Sequence, residues 1–107
     1  MDADRTVAGM APGVKARLLA GASHWETRAA PEFDVPPLWL SDGPHGLRKQ
    51  EGEADHLGIG RSVPSVCYPT ASALACSFDP SLVERVGAAI GEEARDQGIG
   101  VVLGPGV

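Results

Sequence analysis

The sequence has 107 residues, about the size of one modest domain and long enough for a single hydrophobic core. Its hydrophobic content of 43% argues against disorder, and its net charge of -5, with no basic cluster denser than Arg48-Lys49, argues against nucleic acid or an anionic membrane as the main partner. The start, MDADRTVAGM, has acids where a secretion signal needs cations, and no apolar segment approaches the roughly 20 residues that span a bilayer. We therefore expect a soluble, cytoplasmic protein.

The first predicted element is a short helix over residues 15 to 25. Val14, Leu18 and Leu19 fall near helical spacing there, and Gly21 would close its first segment. The stretch TRAAPEFDVPP that follows has three prolines in a short space, which predicts an irregular connection.

PPLWLS is a short apolar run between proline and Asp-Gly-Pro, and it predicts a buried strand of about five residues. Trp39 would lie in the core, and Asp42 would lie at the carboxyl end of the strand. From Gly43 to Ser65 the composition turns polar and glycine-rich, which predicts a long loop over that end of the strand.

CYPTASALACSF is apolar with small residues, and its periodicity leaves open whether it forms a strand or a helical turn. A clear helix follows, with Asp79 as N-cap, Pro80 at the first helical position, and Phe78 and Val83 spaced as a hydrophobic staple. Its predicted apolar face consists of Leu82, Val83, Val86 and Ile90. Within this helix the glycines 87 and 91, one turn apart, indicate close packing of helix on sheet.

Gly98 stands where a left-handed C-cap is expected, and the apolar run IGVVL at 99 to 103 follows at once. Such a run, entered from a helix, predicts a parallel strand buried on both faces. It ends in the glycine-rich turn 104 to 106. The plan of strand, loop, helix and strand is of the βα type, in which ligand sites lie at the carboxyl ends of the strands.

Asp42 and Arg48 are the candidate ligand-binding residues. A carboxylate only accepts hydrogen bonds, so the two oxygens of Asp42 suit neighbouring hydroxyls of a sugar. Arg48, six residues on, carries a rigid fork of donors that can return to the same pocket. In the alternative interpretation Asp42 makes a side-chain turn to nearby backbone amides, and Arg48 is a solvated cation. The spacing alone leaves both interpretations open.

No metal site is predicted. The three histidines, His24, His45 and His56, share no helical i,i+4 face and have no convergent carboxylate. Cys67 and Cys76 lack the paired spacing of a zinc site, and we interpret them as small buried thiols, with a disulfide or a metal site as the alternative.

Several segments together resemble a known family. LLAGASHWET, LWLSDGPHGLRKQ, DHLG and SVPSVCYPTASALACSFDPSLVERVGAAIGEEARDQGIGVVLGPGV are similar, in this order, to the N-terminal part of glycoside hydrolase family 3 enzymes, especially bacterial β-glucosidases. The resemblance covers residues 16 to 107, and the combination of SDGPHGLR, YPTASALA, FDP and LGPGV makes it specific. The departures are Pro12-Gly13 in place of an acidic helix start and Tyr68 where phenylalanine is common.

The resemblance implies an α/β fold, the N-terminal portion of a (β/α)₈ TIM-type barrel that is incomplete in this chain. Residues 1–107 would all belong to that barrel domain, with 1–15 as leader and helix start. The resemblance also implies that Asp42 binds hydroxyls of the glucosyl unit whose bond is cut, and that Arg48 supports the same subsite. The implied partner is a β-glucoside or related carbohydrate, and no cofactor is implied because the chemistry needs only carboxylates.

The length limits what this chain can do alone. A barrel takes roughly 250 residues, so we expect only its first elements, with open sheet edges that favour self-association. A retaining glycosidase needs a nucleophile and an acid/base carboxylate roughly 5 to 5.5 Å apart, and the family's later motifs that carry them do not occur here. The leading hypothesis is a β-glucosidase fragment, inactive alone; the alternatives are a non-catalytic sugar-binding or interaction chain and a truncated remnant without function.

Overall fold

The structure, a computed structural model, describes residues 2–43, 45–52 and 59–104. Helices and a parallel strand pair make a small α/β fold, which confirms the predicted class. The chain divides into two compact units, Met1–Trp39 and Leu40–Val107. In chain order the elements are α1 (Ala3–Gly9), α2 (Pro12–Leu18), a 3₁₀ turn (Pro31–Phe33), β1 (Leu40–Ser41), α3 (Ala71–Cys76), α4 (Pro80–Asp96) and β2 (Val101–Val102).

The first unit corrects the predicted helix over 15 to 25. Helix α2 ends at Leu18, and the separate helix α1 precedes it. Beyond α2 the chain reverses sharply, because Ala22 donates from its backbone N to the oxygen of Glu26 at 2.8 Å. A Cβ on Gly21 would lie 2.6 Å from the backbone oxygen of Ser23, so this reversal needs glycine at that position.

The proline-rich connection of the first unit is largely irregular, as predicted, apart from its 3₁₀ turn. Arg17 and Glu32 form an ion pair at 2.6 Å across this unit. Thr27 donates from its backbone N to the oxygen of Leu38 at 2.9 Å and accepts from the Leu38 N at 2.8 Å through its hydroxyl. Trp39, expected in the core, is only half-buried.

The second unit contains the predicted parallel pair, with Leu40 opposite Val101 and Ser41 opposite Val102. Each strand is only two residues long, shorter than predicted. The prediction that the second strand is buried on both faces is wrong: β2 is half-buried, and Leu103 is 54% exposed. The reason is that, in the described part of the chain, the sheet has two strands of two residues each, which leaves little sheet surface for other elements to cover on both faces.

Helix α4 confirms its predicted ends. The Asp79 carboxylate accepts from the backbone N of Ser81 at 3.0 Å and of Leu82 at 3.1 Å, while Gly98 has a φ of +66° beyond the last turn. The predicted staple is wrong, because Phe78 adopts a φ of +50° that turns it outward, and the residue is 92% exposed. Local capping therefore starts the helix without the apolar contact.

For residues 67 to 78 the sequence left open a strand or a helical turn, and the structure shows helix α3 in this segment. Thr70 caps this helix by accepting from the backbone N of Ala73 at 3.1 Å. Cys67 and Cys76 are free and exposed, so the prediction of buried thiols is wrong. Neither cysteine is enclosed by the short segments around α3.

The core of the second unit lies at the end of α4, where Ala94 and Ile99 are buried. Ile99 donates from its backbone N to the oxygen of Ala94 at 2.8 Å, which brings the chain straight from the helix into β2. The predicted close packing at Gly87 and Gly91 is wrong, since a Cβ at either position would meet nothing within 4 Å. Two predicted features lie outside the described residues. They are the segment DHLG, which contains His56, and the part of the predicted turn at 104 to 106 that follows residue 104.

Among the described helices, none combines the length and the apolar character needed to cross a bilayer.

Candidate functional site

The sequence candidates Asp42 and Arg48 meet at the carboxyl end of β1. They form an isolated antiparallel bridge, in which Arg48 donates from its backbone N to the oxygen of Asp42 at 2.8 Å. The loop after the strand therefore folds back at once onto the strand end. This return places both side chains on the same side of the turn.

The two side chains make a bidentate ion pair. Arg48 donates from Nε to Oδ1 of Asp42 at 3.0 Å and from Nη2 to Oδ2 at 2.8 Å. A planar guanidinium matches a carboxylate in this way, and two parallel charged hydrogen bonds fix both groups. The Arg48 side chain is 45% exposed and the Asp42 side chain is 40% exposed. The pair therefore faces solvent, while its two hydrogen bonds fix its geometry.

Two glycines shape the turn between these residues. A Cβ on Gly43 would lie 2.5 Å from the backbone oxygen of Gly46, and a Cβ on Gly46 would lie 2.4 Å from that of Val66. Gly46 also has a φ of +150°, which side chains rarely adopt. A larger residue at either position would therefore force the backbone of this turn to shift.

Ser41 lies directly beneath the pair and is fully buried, with 0% exposure. Its hydroxyl oxygen is 2.8 Å from the oxygen of Arg48 and 3.0 Å from that of Asp42, and it accepts from the backbone N of Arg48 at 3.1 Å. The hydroxyl therefore connects the last residue of β1 to the backbone of both candidate residues.

Lys49 fastens the returning segment to helix α4. Its Nζ donates to the backbone oxygen of Gln97, the C-cap residue, where the helix dipole favours a cation. Glu93 holds the next segment, because its Oε1 accepts from the backbone N of Val66 at 3.0 Å. Gln97 adds a bond from Nε2 to the oxygen of Pro64 at 3.3 Å. The end of α4 thus supports both sides of the loop.

An apolar pocket of about 360 Å³ lies beside the turn. Its walls include Leu74, Val86, Ile90 and Val102, and neither Asp42 nor Arg48 is among the described residues that line it. Such an apolar lining suits packing by another chain segment better than it suits a sugar, which needs polar partners.

No group of three or more His, Cys, Asp or Glu side chains converges as a metal site within residues 2–43, 45–52 and 59–104. His24 and His45 belong to different units of the chain.

Comparison with known proteins gives matches over nearly the whole chain. The chain is 43% identical over 106 residues to thermostable β-glucosidase B of Acetivibrio thermocellus, which covers 99% of this chain and 14% of that protein. It is 38% identical over 94 residues to an exo-α-(1→6)-L-arabinopyranosidase of Bifidobacterium longum, which covers 87% of this chain and 12% of that protein. No protein-family model matches the chain.

Solved structures agree with these relatives. β-Glucosidase from Kluyveromyces marxianus in complex with glucose superposes with a TM-score of 0.84 at 28% identity, covering 98% of this chain and 12% of that one. The GH3 β-glucosidase of Bifidobacterium adolescentis superposes with a TM-score of 0.78 at 35% identity, covering 94% of this chain and 13% of that one. The chain is homologous to a segment of glycoside hydrolase family 3 β-glucosidases.

This family 3 chain spans only 14% and 12% of the length of the two curated relatives above. It matches a short segment of these glycoside hydrolases, as the resemblance implied, and Asp42 and Arg48 lie within the matched segment. Ser41 and Lys49 were not predicted from the sequence to be parts of the site. A hydroxyl residue at the end of an otherwise apolar strand was a signal for Ser41, because a buried hydroxyl needs partners. No pattern in the sequence indicated the role of Lys49, because its hydrogen-bond partner lies far along the chain.

Proposed function

We propose that this chain contributes part of the sugar-binding site of a β-glucosidase-like hydrolase, in which Asp42 and Arg48 bind hydroxyls of the terminal sugar residue. The observation that supports this function is the bidentate Asp42–Arg48 pair at the carboxyl end of β1, in a chain homologous to β-glucosidases.

The pair has the chemistry that a sugar requires. Each sugar hydroxyl both donates and accepts, and the pair offers carboxylate oxygens as acceptors beside guanidinium N–H groups as donors. Both side chains are partly exposed, so a ligand can reach them. Because Arg48 neutralises Asp42, covering the pair with a sugar costs less than burying an isolated carboxylate.

The proposal extends to the fold of the complete enzyme. We take β1, α4 and β2 as the opening of a (β/α)₈ barrel, and residues 1–107 as part of one barrel domain. Support comes from the parallel pairing of strands separated by a helix and from the position of the pair at a strand's carboxyl end, where barrel enzymes bind ligands.

The catalytic carboxylates would then come from other parts of the protein. In retaining glycosidases a nucleophile and an acid/base residue flank the bond that is cut. Asp42 is committed to Arg48 and serves as a binding residue in this proposal. The 107 residues alone would bind sugar weakly and hydrolyse nothing.

A second sugar specificity is supported by one relative. The Bifidobacterium longum protein is named for cleaving an L-arabinopyranoside. A pair that recognises neighbouring hydroxyls of a pyranose ring suits either a glucoside or an arabinopyranoside, so substrates of both kinds belong in the test.

The isolated chain is also proposed to self-associate. In the described residues β1 and β2 pair only with each other, and the apolar pocket lies open beside β2. Unpaired strand edges template pairing with a second copy. Size-exclusion chromatography with light scattering would show a dimer or larger species, whereas a monomer at high concentration would contradict self-association.

The function is tested in a chimera, in which these 107 residues replace the segment that they match in the Acetivibrio thermocellus enzyme. We expect hydrolysis of aryl β-glucosides. Asp42→Ala should lower kcat/KM by about tenfold to a hundredfold, because charged hydrogen bonds contribute about 1.5–3 kcal/mol each.

Glu84→Ala is the matched control, since it removes an exposed carboxylate from the first half of α4, whereas the site loop is bonded to the other end of that helix. Its kcat/KM should equal that of the parent chimera. Equal activity of both alanine variants would refute the assigned role of Asp42, and a folded but inactive chimera would refute the wider function.

A further inference from the structure

We propose that Ser41 is a positioning residue, whose hydroxyl fixes the Asp42–Arg48 pair in the orientation that binds sugar. This inference rests on the sugar-binding function proposed above. Ser41 has 0% exposure and is the largest fully buried side chain among the described residues. A hydroxyl in such a place is retained only where its hydrogen bonds are satisfied.

The hydroxyl of Ser41 is bonded to the backbone on both sides of the site. Its single proton can go to the oxygen of Arg48 at 2.8 Å or to that of Asp42 at 3.0 Å, while its oxygen accepts from the backbone N of Arg48 at 3.1 Å. The backbone N of Arg48 is therefore bonded within this small cluster, and the Arg48 oxygen lies within reach of the same hydroxyl. Because water is excluded, these bonds meet little competition.

The other end of this connection is the sheet. Ser41 lies opposite Val102 in the ladder, and its backbone oxygen accepts from the N of Leu103 at 2.8 Å. The backbone of Ser41 is thus set by two strands, and its hydroxyl transfers that position to Arg48, seven residues away along the chain.

The consequence concerns the exposed part of the site. The Arg48 side chain is long and 45% exposed, so the place of its guanidinium depends on where its backbone is held. An anchored backbone leaves the fork few arrangements other than the bidentate one, and precise binding needs such support from residues behind the contacting groups. Ser41 itself is too deeply buried to touch a ligand.

The experiment is a double-mutant cycle in the chimera described above, with kcat/KM for an aryl β-glucoside as the measurement. We expect Ser41→Ala to lower kcat/KM about tenfold, mainly through KM, as for the loss of a buried hydrogen bond. In an Arg48→Met background the same change should cost less than about twofold, because there is no longer a guanidinium to position. Equal losses in both backgrounds would overturn the proposal.

Ser65→Ala is the matched control. It removes a hydroxyl that donates to the oxygen of Leu47 at 2.7 Å, close to the site but without a bond to Asp42 or Arg48. It should leave kcat/KM unchanged, and a loss as large as that of Ser41→Ala would overturn a specific role for Ser41. Ser41→Cys, which keeps the volume and weakens the hydrogen bonds, replaces Ser41→Ala if that variant does not fold, and should also raise KM.

A crystal structure of the Ser41→Ala chimera separates this inference from the function on which it rests. If Arg48→Met keeps the parent kcat/KM, the sugar-binding function fails, while displacement of the guanidinium from Asp42 in the Ser41→Ala crystal still supports positioning. A bidentate pair that is unchanged in that crystal overturns the positioning role whatever the kinetics show.

Discussion

Lys49 donates from Nζ to the backbone oxygen of Gln97, the residue that caps the end of α4, across 48 positions of the chain. Its neighbour Arg48 binds Asp42 at the end of β1. Two consecutive cations therefore attach one short segment to two different elements, one to the strand end and the other to the helix end. Arg48 serves the candidate site, and Lys49 holds the segment that carries it.

Lys49→Met should destabilise the fold in the 107-residue chain. The change keeps most of the aliphatic length but removes a charged hydrogen bond at the negative end of a helix, so we expect the free energy of unfolding to fall by about 1–2 kcal/mol. Thermal melts followed by circular dichroism would measure it. Arg85→Met, on an exposed mid-helix position of α4, is the control. Equal melting temperatures for Lys49→Met and Arg85→Met would contradict this interpretation.

Asp79→Ala should weaken α4, because it leaves the backbone N–H groups of Ser81 and Leu82 without their acceptor. Loss of an N-cap costs about 1 kcal/mol of stability. Urea unfolding is the measurement, and Asp79→Asn should stay close to the parent because asparagine caps about as well as aspartate. An alanine variant as stable as the asparagine variant would show that the cap contributes little.

Gly87→Ala and Gly91→Ala should stabilise the 107-residue chain. Both positions lie inside α4 with open space at the Cβ, so alanine adds helix propensity of up to about 1 kcal/mol without a clash. Gly98→Ala is the contrast and should destabilise, because its φ is +66°. Thermal melts measure all three.

The same two changes also probe the open face of α4 in the chimera. If the two changes stabilise the chimera as much as they stabilise the 107-residue chain, this face of α4 stays uncovered in the chimera. A loss would mean that another segment of the chimera packs closely against the two glycines.

Acid should weaken the Arg17–Glu32 pair of the first unit. The backbone hydrogen bond at Glu32, and then the hydrogen bond from Arg17, lower the pKa of the Glu32 carboxyl below its ordinary value of 4.5. Because the folded pKa is the lower one, this stabilisation is complete above the ordinary value and is lost as pH falls through the folded pKa. Carboxyl NMR titration should give a midpoint below 4.5, and in Arg17→Gln the midpoint should rise. An unchanged midpoint in that variant would remove Arg17 as a cause.

The sequence by itself determined the features that depend on neighbours a few residues away. The caps of α4 at Asp79 and Gly98 are contacts within three or four residues, so residue types and spacing were enough to predict them. The apolar run after this helix likewise predicted a strand parallel to the first. Asp42 and Arg48 were candidates because an acid ends an apolar run and a cation with a rigid fork of donors follows six residues on.

Only the tertiary structure decided how these residues are held. The full burial of Ser41, the bidentate geometry of Asp42 and Arg48, and the bond from Lys49 to Gln97 depend on the path of a loop that composition does not specify. Exposure is equally non-local. Cys76 was predicted to be a buried thiol and Phe78 to be part of a hydrophobic staple. Both are exposed, because a surface is buried only where another part of the chain reaches it.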